Sequence, residues 1–215
     1  MSGDVEAWSA RCEAHVRSTT AGDPAHDLGH VPRVVTWARR LGEAEGADLA
    51  VVVPAAWLHD LVVLPKDGPD RARASRLAAE AAAAWLTAEG FPHERVSAVA
   101  HAIEAHSWSA GVAPETTEAA VVQDADRLDA LGAIGLARCY ATAGALGSAL
   151  VHPDDPVPSH PPARPFDDRR WATDHVFIKL LRLPETMRTA AGRVEAERRA
   201  ETVRQFLTAL RRETA

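Results

Sequence analysis

The longest apolar stretch of the chain, residues 50–64, carries a histidine and an aspartate side by side, His59 and Asp60. The stretch is too short to cross a bilayer, which takes about 20 apolar residues in a helix. Apolar residues stand on both sides of the pair, so we expect both side chains to be buried. A buried carboxylate beside a buried imidazole is costly unless it is paired or coordinated. The pair therefore requires a partner or a bound ion.

The composition indicates helices. The 215 residues are rich in alanine and contain 5% aromatic residues, and alanine is the strongest helix former. We therefore predict a single all-α domain over residues 1–215, a helical bundle with its core at about 22–145. C-terminal helices at about 167–213 are expected to pack onto this core. Residues 152–165 are rich in proline and aspartate and are predicted to form an extended loop.

Periodic apolar positions predict where the helices lie. One helix has an apolar stripe at Val5, Trp8, Cys12 and Val16, and the next begins at Asp23-Pro24 or at Asp27, carries His30 and ends near Gly46. A third is capped by Asp48 and runs to about Leu64, with Pro54 as a kink or a later start, and a turn follows at Lys66–Pro69. Later helices are predicted at Arg73–Glu89, from Pro92 to near Trp108, over Glu115–Gly144 as one helix or two, at about Asp167–Leu183, and around Val194, Val203, Phe206, Leu207 and Leu210.

The net charge of −6 disfavours stable binding to nucleic acids or to anionic membranes. A small phosphorylated substrate is still allowed, because a bound cation can reverse the sign of the local charge. Cys12 and Cys139 are far apart in predicted helices and are expected to be reduced thiols. With no signal-like N-terminus, we expect a cytoplasmic protein, and the sequence leaves homo-oligomers open.

One histidine, the His59-Asp60 pair and a later aspartate form the most informative constellation. His30 would come from the helix before the pair, and the later aspartate from the segment Gln123-Asp124-Ala125-Asp126. Two imidazoles and two carboxylates suit a divalent cation such as Mn, Fe, Co, Ni, Zn or Mg. Asp124 and Asp129 compete with Asp126 for the last position, since Asp129 lies almost one helical turn beyond it.

The pattern of these residues resembles the H…HD…D signature of the HD superfamily of metal-dependent phosphohydrolases. Several longer segments are similar to the YedJ/YpgQ-like branch, and together they run from about residue 20 to 210: His26–His30 with Arg33 and Val34, Trp57–Asp60, Ala102–Ser107, Val122–Gly135, Asp174-His175, Lys179–Leu181 and Leu183-Pro184. The resemblance selects Asp126 as the ligand, with Asp124 at a helix end or behind the ligands. Nothing in the chain resembles the extra motif of cyclic-di-GMP hydrolases.

The resemblance implies an all-α fold and hydrolysis of a phosphoester or phosphoanhydride bond by metal-bound hydroxide. The substrate would be a small phosphorylated molecule, a nucleotide, and a YpgQ-like relative would release pyrophosphate from nucleoside triphosphates. One divalent ion, with Mn or Mg favoured, would be held by His30, His59, Asp60 and Asp126. A second ion near His106 and His101 stays open, although five helical positions separate the two histidines by about 140°.

Further site residues are expected from this chemistry. Asp60 would orient or deprotonate the attacking water, with Lys66 and His106 as further catalytic residues. Substrate contacts are expected from Lys66, Asp129, His175 and Lys179, of which the last two are four residues apart on one helical face. Remaining candidates have an ordinary explanation beside the functional one: a helix cap for His26 and Asp27, an ion pair for Arg127, a structural contact for Asp129, and solvent exposure for His152 and His160 in a loop that could cover the site.

Two other functions use the same scaffold. A di-iron oxygenase would need about six protein ligands, including a second pair of histidines. A catalytically slow module that senses a nucleotide would keep the ligands without turnover.

Overall fold

The structure is a computed structural model that describes residues 2–19, 29–64, 70–159 and 162–214. Nine α-helices occur in these ranges: α1 (Ser2–Thr19), α2 (His30–Glu45), α3 (Leu49–Leu58), α4 (Ala74–Ala88), α5 (His93–His106), α6 (Thr117–Asp129), α7 (Gly132–Ala145), α8 (Ala172–Ile178) and α9 (Ala190–Glu213). Short 3₁₀ helices cover Arg71–Arg73 and Leu180–Thr186. Within the described ranges, β pairing is limited to one bridge between Ala149 and Trp171. The predicted all-α fold is confirmed.

The chain divides into two compact units, Met1–Asp126 and Arg127–Ala215. Helices α1 to α5 lie in the first unit and α7 to α9 in the second. A single domain over residues 1–215, with the C-terminal helices packed on the core, stays a prediction. Among the helices that the structure describes, none is both long and apolar enough to pass through a membrane.

Helix α3 lies at the centre of the first unit. Its residues from Val51 to Leu58 are all buried, as expected for a helix that is apolar on every side. It packs against α1, α2 and α5. The Asp48 side chain caps it as predicted, by accepting a hydrogen bond of 2.9 Å from the backbone N–H of Ala50. The helix begins at Leu49, so Pro54 lies inside it and does not mark a later start.

The end of α3 differs from the sequence prediction. The helix stops at Leu58 and not near Leu64, so His59 and Asp60 lie in the turn that follows. The Nδ1–H of His59 donates to the carbonyl of Ala56 at 2.8 Å. In a longer helix that carbonyl would accept from the backbone N–H of Asp60. The imidazole thus competes with the next helical bond and favours the turn.

Other predictions for the first unit are largely confirmed. Trp8, Cys12 and Val16 of α1 are buried, and α2 ends before Gly46, whose φ of 70° is left-handed. Cys12 is a free thiol, and burial raises its pKa to about 12. The predicted helix start at Asp23-Pro24 or Asp27 and the turn at Lys66–Pro69 lie outside the described residues.

Three predictions for the later helices need a correction or a choice. The segment 115–144 forms two helices, because Gly132 adopts a left-handed φ of 70° at their junction. The helix predicted at Asp167–Leu183 is limited to α8 and a 3₁₀ segment, since Pro184 lacks an N–H and its ring would clash with the carbonyl of Leu180 in a continuous α-helix. Val194 is 74% exposed and does not belong to the buried face of α9.

A buried ion pair fastens the loop before α8. Both terminal nitrogens of Arg164 donate to the carboxylate of Asp174, at 2.6 and 2.7 Å. The Asp174 side chain is completely buried and also accepts from the backbone N–H of Asp167 at 2.8 Å. Bidentate arginine–carboxylate pairs are the strong, directional kind of ion pair. The described part of the predicted loop at 152–165 is therefore tied to α8, and its use as a lid stays a prediction.

Gly135 gives a test of packing in the second unit. A Cβ atom there would overlap the backbone carbonyl of Ala130, while one at Gly144 in the same helix would meet open space. We expect Gly135→Ala to lower the free energy of unfolding by about 1–3 kcal/mol, the cost of overpacking. Gly144→Ala should leave it unchanged or raise it by up to about 1 kcal/mol. Urea denaturation of both variants provides the measurement, and equal stability would contradict the close approach.

Candidate metal site

Four side chains from three segments meet in the first unit. His30 is the first residue of α2, His59 and Asp60 form the turn after α3, and Asp126 lies in α6. The Nε2 atom of His30 lies 3.4 Å from Nε2 of His59 and 3.3 Å from Oδ1 of Asp126. The structure therefore brings together all four predicted metal ligands.

The distances between these atoms are close to those of a coordination sphere. His59 Nε2 lies 3.5 Å from Asp60 Oδ2 and 3.9 Å from Asp126 Oδ1, and His30 Nε2 lies 3.9 Å from Asp60 Oδ2. Ligand bonds of about 2.1 Å place neighbouring donors about 3.0–3.5 Å apart. The ligand atoms of His30, His59 and Asp60 all lie within 4.8 Å of one another. The group fits a divalent cation.

The ring orientation of His59 also fits a metal ligand. Its Nδ1–H donates to the carbonyl of Ala56, so in the neutral ring Nε2 carries the lone pair and faces the cluster. A backbone carbonyl on the far nitrogen is a common support for a metal-bound histidine. Burial lowers the pKa of His59 below its ordinary value, which keeps the ring in the neutral form that binds metals.

His106, at the end of α5, stands on the other side of Asp60. Its Nε2 lies 3.8 Å from Oδ1 of Asp60, whereas Oδ2 of the same carboxylate faces His30 and His59. The Nδ1–H of His106 donates to the carbonyl of Ile103 at 2.6 Å. One carboxylate oxygen of Asp60 thus faces His30 and His59, and the other faces His106.

Both carboxylates are held in the charged form. Burial disfavours the charge on Asp126, but the imidazoles of His30, His106 and His59 hold its pKa well below the usual range. Burial likewise opposes the charge on Asp60, and His59 and His106 outweigh it and lower its pKa. At neutral pH the cluster therefore presents two carboxylates and the neutral imidazole of His59, donors that suit a hard or borderline cation.

The two aspartates that compete with Asp126 are placed differently. Asp124 is fully buried and Asp129 is 3% exposed. The Oδ2 atom of Asp129 accepts from Nη1 of Arg138 at 2.6 Å. This contact matches the structural role considered for Asp129, while its predicted contact with substrate stays a prediction.

His101 has a different partner from His106. Its Nε2 accepts a hydrogen bond of 3.0 Å from the backbone N–H of Glu115, so this nitrogen supports the loop before α6. The structure therefore does not pair His101 with His106 as ligands of a second ion. His26, Asp27, Lys66 and His160 lie outside the described residues.

The second unit holds the other predicted residues. Nδ1 of His175 lies 2.9 Å from Oδ2 of Asp168, and Lys179 is exposed at the end of α8. Arg127 donates to the carbonyl of Thr186 at 2.7 Å. Nδ1 of His152 accepts from the backbone N–H of Asp154 at 3.1 Å. Roles for His175 and Lys179 with substrate stay predictions.

Gln123 lies in the region of the site and was not among the predicted site residues. It is 2% exposed, and its Nε2 donates to the carbonyl of Ala105 at 2.7 Å, directly before His106. It also lies one turn before Asp126 on α6, so one amide links the segments that carry two site residues. The signal in the sequence was a polar residue among the apolar positions of α6.

Comparison with known proteins identifies the class of this protein. The family model described as "HD domain" matches residues 26–131. The Bacillus subtilis (strain 168) protein YpgQ is 36% identical over 192 residues, which cover 87% of this chain and 84% of YpgQ. The chain therefore belongs to the HD superfamily of hydrolases.

Solved structures agree with this assignment. The crystal structure of Bacillus subtilis YpgQ in complex with ADP is similar with a TM-score of 0.76 and 34% identity, covering 98% of this chain and 96% of that one. An HD-superfamily hydrolase from Bacillus thuringiensis gives a TM-score of 0.76 at 30% identity, with 97% of each chain covered. The predicted resemblance to the YpgQ-like branch is confirmed.

The cluster predicts how metal affinity responds to mutation. His59→Ala and Asp60→Ala each remove a donor atom, so we expect Mn²⁺ affinity to fall by more than about 100-fold, beyond the loss caused by removing an outer hydrogen-bond partner. Helical content should be retained. His93→Ala, at the exposed start of α5, is the matched control and should bind Mn²⁺ normally. Calorimetric titration measures all three, and normal binding by either site variant would contradict the cluster as a metal site.

Proposed function

We propose that the protein is a metal-dependent phosphohydrolase that cleaves a phosphoester or phosphoanhydride bond of a nucleotide. The observation that carries the proposal is that the Nε2 atoms of His30 and His59 lie 3.4 Å apart and that each lies 3.3–3.9 Å from a carboxylate oxygen of Asp60 and of Asp126. These four are the proposed ligands of one divalent ion, with Mn or Mg favoured. A bound ion of this kind lowers the pKa of water and offsets phosphate charge.

Asp60 and His106 are the proposed catalytic residues of the described chain. Oδ2 of Asp60 faces the two imidazoles and Oδ1 faces His106, so the carboxylate can bind and orient water at the same time. Since Nδ1 of His106 is occupied by the carbonyl of Ile103, a proton can be taken up or released at its Nε2. Lys66 is the third proposed catalytic residue and also a proposed substrate contact.

Nucleoside triphosphates, with release of pyrophosphate, are the proposed substrates. Support comes from the relative YpgQ, whose crystal structure is a complex with ADP. Asp129, His175 and Lys179 are proposed to contact the substrate together with Lys66. We further propose that the protein works in the cytoplasm.

The oxygenase alternative is less well supported. It needs about six ligands and a second histidine pair, and His101 uses its Nε2 to accept from Glu115. The sensing alternative keeps the metal site but predicts no turnover, so an activity assay separates it from the proposed function.

A release assay tests the proposed function. With Mn²⁺, Mg²⁺, Co²⁺ or Ni²⁺ and a panel of nucleotides, the wild-type protein should release phosphate or pyrophosphate. Asp60→Ala should abolish release, since it removes both a ligand and the group that orients water. His93→Ala should react like the wild type. Absence of turnover with every nucleotide and metal would overturn the proposal, and full turnover by Asp60→Ala would overturn the assigned site.

Lys179 has its own expected effect. If its ammonium holds substrate phosphate in the ground state, Lys179→Ala should raise KM more than it lowers kcat. Arg182, an exposed cation three residues later, is the matched control. Steady-state kinetics with the best nucleotide of the release assay measures both variants. An unchanged KM, or an equal rise in Arg182→Ala, would remove Lys179 from the site.

A further inference from the structure

Two large apolar side chains of the first unit stand out because they are exposed. Among described residues up to 126, the large hydrophobic side chains that are exposed are Val63, at 39%, and Trp108, at 66%. Val63 lies three residues after Asp60, and Trp108 lies two residues after His106. Each therefore follows directly on a segment that carries a residue of the candidate site.

The chain geometry keeps Trp108 close to the site. Consecutive Cα atoms are about 3.8 Å apart, so the Cα atoms of His106 and Trp108 are separated by less than about 8 Å. Nε2 of His106 in turn lies 3.8 Å from Oδ1 of Asp60. The exposed residue Trp108 therefore lies next to the segment that carries His106.

The turn that carries Trp108 is held by its neighbours. Helix α5 ends at His106, and Ser107 adopts an extended conformation with φ −75° and ψ 128°. The hydroxyls of Ser107 and Ser109 form a hydrogen bond of 3.0 Å on either side of Trp108. The backbone at Trp108 is thus held in a defined turn.

Trp108 differs from the other tryptophans of the protein. Trp8 and Trp57 are buried at 7% exposure, and Trp37, Trp85 and Trp171 are partly buried. Exposing an indole forgoes the hydrophobic gain of burial. A large apolar ring that is 66% exposed near a candidate metal site can bind the flat apolar part of a ligand.

We propose that Trp108, with Val63 beside the other site segment, binds the base of a nucleotide whose phosphates lie at the metal cluster. This inference rests on the proposed function and adds a residue that selects nucleotides over simple phosphates. Stacking on an aromatic ring is tolerant of the base, because every base has a π face. The protein should therefore accept several bases and discriminate mainly against substrates without a ring.

Binding of two probes tests the inference without requiring turnover. In the presence of Mn²⁺, calorimetry compares the Kd of ADP, which has a base, with that of inorganic pyrophosphate, which has none. Trp108→Ala should weaken ADP binding at least about fivefold, the lower limit for stacking of one base, and leave pyrophosphate binding unchanged. Trp108→Phe keeps a ring and should restore most of the affinity for ADP.

Val194→Ala is the matched control, because Val194 is also an exposed apolar residue, at 74%. It should bind both probes normally, and thermal unfolding should show that all variants are folded. An unchanged Kd for ADP in Trp108→Ala, an equal loss for both probes, or no binding of ADP by the wild type would overturn the inference. If the wild type hydrolyses nucleotides but the Kd of ADP is the same in the wild type and in Trp108→Ala, this inference alone would be overturned. Ring-dependent ADP binding without any turnover would overturn the proposed hydrolysis alone.

Discussion

The candidate site depends on one hydrogen bond, from the Nδ1–H of His59 to the carbonyl of Ala56. This bond takes the acceptor that the next helical turn would use, so α3 ends and the chain turns. The same bond leaves Nε2 of the imidazole directed at His30 and the carboxylates. Asp60 then follows in the turn, where its two oxygens reach different neighbours. Helix termination and ligand orientation therefore have a single physical cause.

The carboxylates of the two units have different partners. In the second unit the carboxylates of Asp129 and Asp174 are each paired with an arginine at about 2.6 Å, Arg138 and Arg164. In the first unit the carboxylates of the cluster face imidazole nitrogens at 3.3–3.9 Å, and the ring of His59 is kept neutral by burial. An arginine–carboxylate pair has its charge balanced, whereas the neutral ring of His59 and the carboxylates at these distances gain stability from a cation.

The cluster lies between a buried helix, α3, and a segment with an exposed tryptophan, Trp108. Helix α3 is buried over almost its whole length and ends at the His59-Asp60 turn, so two of the four proposed ligands directly follow a helix that is packed on every side. Helix α5 ends at His106, and Trp108, two residues later, is exposed. The candidate metal ligands and an exposed apolar ring thus lie within a few residues of one another. The proposed binding of a nucleotide requires polar and apolar groups that are close together.

Sequence by itself determined the helical class, most helix positions and the His59-Asp60 pair, because helical periodicity is local and an ionisable pair in an apolar run is visible in any sequence. The resemblance to the HD superfamily added His30 and favoured Asp126 over two neighbouring aspartates. The sequence alone placed the end of α3 too late and joined α8 to the segment before it, because those boundaries depend on a side chain that competes for a carbonyl and on the buried Asp174. It also gave no role to Gln123. Only the tertiary structure decided which aspartate faces the imidazoles and that His106, and not His101, reaches Asp60, since these are distances between segments far apart in the chain.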